Sequence, residues 1–125
     1  MKYYLIFALL FGVLSFSACA QKTTADKHTQ VLAVADFKTK LAATENALLL
    51  DVRTPDEVAA GKIDGSQNID YNAADFKAQL TKLDPKRPIF VYCAKGGRSG
   101  KTTPMLEELG FTQIYDLEGG FSAWK

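Results

Sequence analysis

Two short runs of apolar residues constrain the fold of this chain more than any other feature. Ala47 to Val52 reads Ala-Leu-Leu-Leu-Asp-Val, and Ile89 to Tyr92 reads Ile-Phe-Val-Tyr. A short, continuous apolar run is typical of a strand that is buried on both faces, as in a parallel sheet covered by helices. The two runs therefore predict a central, mostly parallel sheet.

The segments around these strands have the spacing and the end signals of helices. The pattern predicts helices over Val34 to Leu41, from Thr54 to Gly61, over Asp75 to Leu83, over Ser99 to Leu109 and over Gly119 to Trp124, with extended segments at Ile63 to Ile69 and Ile114 to Leu117. Pro104 should kink the fourth helix or divide it, because proline has no N–H to donate. We expect an α/β fold with helices on both faces of a small sheet.

The first 18 residues resemble an export signal. Lys2 precedes an apolar stretch from Tyr3 to Leu14, and small residues then lead to Cys19. Ser17-Ala18-Cys19 resembles the bacterial lipobox, in which the cysteine receives a lipid, although Phe16 stands where leucine is commonest. The alternative is a plain signal that is cut near Ala18 or Ala20.

The expected organisation is therefore a lipoprotein signal over residues 1–18, a lipidated polar tether over 19–30 and one folded domain over 31–125. The expected location is the bacterial cell envelope, with the lipid at Cys19 in a membrane and the domain facing the periplasm. His28, the only histidine, falls in the tether, where a solvated side chain is expected and a metal ligand is not.

The charge balance argues against a nucleic-acid partner. The chain has 15 basic and 14 acidic residues, and loss of the segment that contains Lys2 would leave 14 of each. A nucleic-acid-binding domain normally carries a clear excess of basic residues to neutralise phosphates. Neither composition nor motifs indicate a metal or an organic cofactor.

Cys93 is the residue most indicative of function. It directly follows the second buried run, and ligands of open α/β sheets bind beyond the carboxyl ends of the strands. The loop then reads Cys93-Ala94-Lys95-Gly96-Gly97-Arg98-Ser99. Its glycines allow successive N–H groups to turn inward and form an anion-binding nest at a helix N-terminus.

Such a nest, with Lys95 and Arg98 nearby, is expected to stabilise a thiolate and to lower the pKa of Cys93. The thiolate is the attacking form, and the same donors could hold the charged product of the attack. The alternative is a buried structural cysteine at the end of a strand.

Three motifs resemble the rhodanese domains. The active-site loop of that family resembles Cys93, four intervening residues and then Arg98-Ser99. Its Asp-Val-Arg-x-x-x-Glu stretch resembles Asp51-Val52-Arg53 with Glu57. Its closing Gly-Gly-x-x-x-Trp resembles Gly119-Gly120 with Trp124. The resemblance implies that Cys93 carries a persulfide. It also implies a structural ion pair between Arg53 and Glu57 near the active loop, with Asp51 as a supporting residue of the same motif. From spacing alone, Arg53 and Glu57 would be a solvated pair at the start of a helix.

The implied reaction moves a sulfane sulfur from an anionic donor such as thiosulfate to a thiol or cyanide and needs no cofactor. In this family the donor or acceptor is often a partner protein. Two departures from the family are Lys62 and Asp64, in a stretch where relatives often have histidine and proline. A third is the small Ala94, which should leave the mouth of the loop open.

Two other functions remain open at this point. A non-catalytic binding module could retain the fold, although such relatives typically lack the cysteine. A thiol phosphatase is less favoured, because the similar loop of tyrosine phosphatases has five residues between cysteine and arginine. A thiol oxidoreductase is disfavoured by the absence of a second, resolving cysteine beside Cys93.

Overall fold

The computed structural model describes residues 29–125, and the predicted signal, Cys19 and His28 lie outside this range. The elements follow one another along the chain as β1 (Thr29–Leu32), α1 (Val34–Ala43), β2 (Leu48–Asp51), α2 (Pro55–Ala59), β3 (Gln67–Asn68), α3 (Phe76–Leu80), β4 (Ile89–Tyr92), α4 (Gly97–Glu108), β5 (Ile114–Leu117) and α5 (Gly120–Trp124). None of the helices in this range is long and apolar enough to cross a membrane.

The five strands form one sheet in the order β1-β5-β4-β2-β3, and every neighbouring pair is parallel. The predicted α/β fold is confirmed. The two apolar runs form β2 and β4, which lie side by side with Leu50 opposite Val91. β4 is the central strand, so its carboxyl end, where Cys93 follows, is enclosed by neighbours on both sides.

Alternate residues of the strands pack into two separate cores, one on each face of the sheet. Val91 and Cys93 point to the face covered by α3 and α4, where Leu106 is fully buried. Phe90 and Tyr92 point to the other face, which α1 and α5 cover. The period of two along a strand thus explains why these runs are apolar at every position.

Several element boundaries differ from the sequence prediction. β1 begins at Thr29, so the predicted tether over 19–30 was wrong for its last two residues. α3 ends at Leu80 rather than Leu83, and turns occupy the residues before Pro85.

α4 begins at Gly97 and runs through Pro104 as one helix, so of the two predicted effects of this proline, a kink or a division, the division does not occur. A proline removes the hydrogen bond to the carbonyl four residues earlier, which here is that of Gly100. The Thr103 hydroxyl donates to that carbonyl at 3.1 Å and satisfies it instead.

Candidate active site

The loop after β4 surrounds the sulfur of Cys93 with hydrogen-bond donors. The Gly96 N–H donates to Cys93 Sγ at 3.0 Å, and the thiol donates to Ser99 Oγ at 3.4 Å. Gly96 can turn its N–H inward because it adopts a left-handed backbone, with φ of 109°, just before α4 begins. The Ser99 hydroxyl in turn donates to the Gly96 carbonyl at 3.3 Å.

Burial and hydrogen bonding act in opposite directions on the Cys93 thiol. Cys93 is only 1% exposed, and this burial by itself raises the pKa of the thiol. The Ser99 hydroxyl and the N–H groups of Ser99, Gly96 and Lys95 lower it, and their combined effect is the larger. The net result is a pKa below the ordinary value of a cysteine, so the loop stabilises a thiolate.

The ion pairs around the loop differ from the predicted pair of Arg53 and Glu57, which was wrong. Arg53 instead binds Asp51, with Nη2 at 2.8 Å from Oδ2, and both side chains are almost completely buried. Glu57 binds Arg98 in a bidentate pair at 2.7 and 2.9 Å, so it joins α2 to the first turn of α4.

The directions of the two side chains explain why Arg53 and Glu57 pair with other residues and not with each other. Glu57 is the third residue of α2 and completes a capping box with Thr54, which turns its carboxylate toward the loop. The guanidinium of Arg98 accounts for the low pKa of Glu57, which lies at about 2. Arg53 points inward, where Nη2 donates to the Gly61 carbonyl at 2.7 Å and the guanidinium lies 4.3 Å from the centre of the Phe121 ring.

The start of α5 holds the loop from its other side. The Phe121 N–H donates to the Cys93 carbonyl at 2.8 Å, and the Ser122 N–H donates to the Ala94 carbonyl at 3.0 Å. A Cβ on Gly120 would lie 2.6 Å from the Ala94 carbonyl carbon and closer still to the Cys93 carbonyl oxygen. Only glycine permits this approach between two backbones.

Tyr92 anchors the segment in which Lys62 and Asp64 depart from the family pattern. Its hydroxyl accepts from the Ile63 N–H at 3.1 Å and donates to the Ser66 hydroxyl at 3.0 Å. These two hydrogen bonds fix the segment without the histidine and proline that relatives often have. This function of Tyr92 could not be predicted, because in the sequence Tyr92 looks like one more apolar residue of β4.

A cleft of about 220 Å³ opens beside the loop. It is lined by Arg53, Glu57, Ala60, Ala94, Phe121, Ser122 and Lys125. Ala94 forms part of the wall of this cleft. The predicted loop cation Lys95 is exposed. Within residues 29–125, no group of histidine, cysteine and acidic residues is arranged to hold a metal ion.

Asp116 is a buried residue of this region that the sequence analysis did not single out. It lies on β5, beside the end of β4, and is 5% exposed. An acidic residue inside the otherwise apolar run Ile114 to Leu117 was the signal that could have identified it.

Fold and loop together define a class: an α/β domain with a single buried cysteine in an anion-binding loop between a central strand and a helix. The family model of the Rhodanese-like domain matches residues 33–125. The chain belongs to the rhodanese-like family.

Individual relatives agree with this assignment. The chain is 34% identical over 83 residues to a thiosulfate sulfurtransferase of Ectopseudomonas mendocina, covering 66% of this chain and 73% of that one. It is 36% identical over 83 residues to the protein YqhL of Bacillus subtilis, covering 66% of this chain and 64% of that protein's length. The crystal structure of a rhodanese-related protein of Thermoplasma volcanium matches with a TM-score of 0.66 and 30% identity, over 76% of this chain and 89% of that one.

Replacing Gly120 with alanine should destabilise the domain more than the same change at Gly65. Both glycines have a positive φ, of 59° and 83°, so both substitutions strain the backbone, at a cost of about 1 kcal/mol. Only at Gly120 does the added methyl group meet other atoms, which should cost about 1–3 kcal/mol more. Urea unfolding of the two variants measures the difference, and equal losses would show that α5 does not press on the loop.

Proposed function

We propose that this protein is a sulfurtransferase that moves a sulfane sulfur through a persulfide of Cys93. The observation that carries the proposal is the set of N–H groups of Lys95, Gly96 and Ser99 directed at the sulfur, which lowers the pKa of the thiol. The thiolate is the nucleophilic form of cysteine, and the same donors would stabilise the negative charge of a persulfide.

The reaction balances in two displacements. The Cys93 thiolate attacks the outer sulfur of thiosulfate, the S–S bond of the donor breaks, and sulfite leaves with the electron pair. An acceptor thiolate or cyanide then attacks the outer sulfur of the persulfide, and the Cys93 thiolate leaves. No external oxidant or reductant is required, and each step regenerates an anion in the same loop.

The pairing of Arg98 disfavours the phosphatase alternative. An arginine that holds a phosphoryl group does so with its two terminal nitrogens. Both of these nitrogens in Arg98 are bound to the Glu57 carboxylate, at 2.7 and 2.9 Å. The loop therefore offers a ring of N–H groups around the sulfur itself, which suits one added sulfur atom better than a tetrahedral group.

The state of Cys93 disfavours the binding-module alternative. A docking surface has no use for a thiol whose pKa is lowered by four hydrogen-bond donors against the effect of burial. The names of relatives, such as the thiosulfate sulfurtransferase of Ectopseudomonas mendocina, favour an enzyme as well.

Lys95, exposed beside the loop, would attract an anionic donor. We propose a small thiol or the thiol of a partner protein as acceptor, entering by the cleft beside Ala94.

We also propose that the protein is attached to a bacterial membrane by a lipid on Cys19 and works in the periplasm. The support is the sequence Ser17-Ala18-Cys19 after an apolar stretch.

Replacing Cys19 with alanine should leave the protein unprocessed or release it from the membrane fraction of the native host. Unchanged processing and unchanged membrane partition of this variant would contradict the proposal.

The full chain should form thiocyanate from thiosulfate and cyanide and should hydrolyse an aryl phosphate far more slowly, if at all. Cys93→Ser should abolish sulfur transfer while leaving the unfolding curve nearly unchanged, since serine is of similar size. Both rates can be followed by absorbance on the same preparation. Aryl phosphate hydrolysis that depends on Cys93, without sulfur transfer from any persulfide donor, would replace the proposed function with the phosphatase.

A further inference from the structure

Asp116 is a buried acid with an incomplete set of hydrogen bonds. It is 5% exposed, and its Oδ1 atom is buried without a hydrogen-bond partner among residues 29–125. A buried carboxylate without partners is costly, and natural structures retain few of them. The sulfur-transfer steps described above make no use of this side chain.

The sheet register places Asp116 on the strand beside β4 and on the same face of the sheet as Cys93. Asp116 lies opposite Val91 on β4, and Cys93 follows two residues later on the same face of the sheet. A Cβ on Gly100 would lie 3.9 Å from Asp116 Oδ2, so the carboxyl group lies against the first turn of α4. Ser99, the neighbour of Gly100, shares a hydrogen bond with Cys93 Sγ at 3.4 Å.

The elements packed against Asp116 offer it no cation. β1 carries no charged residue, and the end of β4 contributes only Cys93. α4 carries two cations near its start, of which Arg98 is paired with Glu57 and Lys101 is exposed. Its two acidic residues, Glu107 and Glu108, are at the far end of the helix. Asp116 takes part in neither of the ion pairs around the loop.

The surroundings of Asp116 shift the pKa of its carboxyl group. Burial raises the pKa of its carboxyl group to about 6, although the Ser99 hydroxyl and the Leu117 N–H act to lower it. The Ser99 hydroxyl lowers the pKa of Cys93 as well. The Ser99 hydroxyl thus acts on the pKa of both the cysteine and the buried acid.

We propose that Asp116 is a positioning residue that controls the ionisation of Cys93 through the hydroxyl of Ser99. A hydroxyl has one proton to donate, and that of Ser99 goes to the Gly96 carbonyl at 3.3 Å when no anion is beside it. A negative charge on Cys93 or on Asp116 would draw this proton away. When Asp116 is a carboxylate, it competes with the Cys93 sulfur for that proton and adds a like charge nearby. When Asp116 is protonated, it can donate to Ser99 Oγ, and the Ser99 proton is then free to stabilise the thiolate or the persulfide.

The importance of this control for turnover rests on the proposed sulfur transfer, but the control itself can be measured without any sulfur donor. Alkylation of Cys93 by iodoacetamide reports the thiolate directly, because the thiol hardly reacts. If alkylation responds as proposed and sulfur transfer is absent, the proposed function fails alone. If sulfur transfer occurs and alkylation does not respond, only this inference fails.

The test is the rate of Cys93 alkylation between pH 4.5 and 9 in the reduced full chain, read on the Cys93 peptide by mass spectrometry. Asp116→Asn removes the charge and leaves an amide that can donate to Ser99. We expect this variant to react about threefold faster than wild type at pH 7, where Asp116 is mostly charged in wild type, since a fall of about half a unit in the pKa of Cys93 raises the thiolate fraction about threefold. The gain should shrink in a Ser99→Ala background, where the connecting hydroxyl is absent.

Glu118→Gln is the matched control, because it removes a carboxylate two residues further along the chain at an exposed position. Its alkylation curve should coincide with that of wild type. The inference is overturned if Asp116→Asn has the same alkylation curve as wild type, or if Glu118→Gln shifts the curve by the same amount. It is also overturned if Asp116→Asn speeds alkylation as much in the Ser99→Ala background as in wild type. The wild-type curve is a second test if Asp116→Asn does not fold: it should be shallower than a one-proton titration around pH 6, and a simple one-proton curve would contradict the coupling.

Discussion

The contact between Gly120 and the backbone of Cys93 and Ala94 is the constraint on which the site depends. The loop can direct its N–H groups at the sulfur only if its carbonyls are satisfied elsewhere, and the first turn of α5 satisfies two of them. This arrangement needs a backbone approach that excludes any side chain at Gly120. The closing helix is thus a part of the active site, although it contributes no reactive group.

The charged side chains organise the site, whereas neutral dipoles act on the sulfur. Arg53 is held by Asp51 and connects the end of β2 to the Gly61 carbonyl and to α5. Arg98 is held by Glu57 and fixes the first turn of α4 against α2. The donors that lower the pKa of Cys93 are the Ser99 hydroxyl and backbone N–H groups. Such donors are preorganised, because they are fixed by the fold before an anion forms.

The sequence predicted the fold well because the deciding signals are local. The apolar runs identified β2 and β4, and Thr54 with Pro55 and Glu57 identified the start of α2, which has the capping box typical of this pattern. The glycines after Cys93 indicated the nest. Each of these features depends on neighbours along the chain or on burial on both faces.

The errors concern contacts between distant segments. The partner of Glu57 is 41 residues away, and spacing along the chain could not show that α2 faces α4. The continuity of α4 across Pro104 depends on a hydroxyl that happens to replace the missing donor. The burial of Asp116 depends on its place opposite β4, which follows from the strand order and not from the sequence of β5 alone.

The proposed sulfur transfer requires that the loop hold a sulfur atom as an anion on Cys93. The most direct measurement is the intact mass of the full chain after thiosulfate treatment, followed by peptide mapping and then by addition of cyanide. We expect a gain of one sulfur atom, located on Cys93, and its loss when cyanide is added. An unchanged mass with thiosulfate and with other persulfide donors, or a sulfur atom that resides on Cys19 instead, would contradict it.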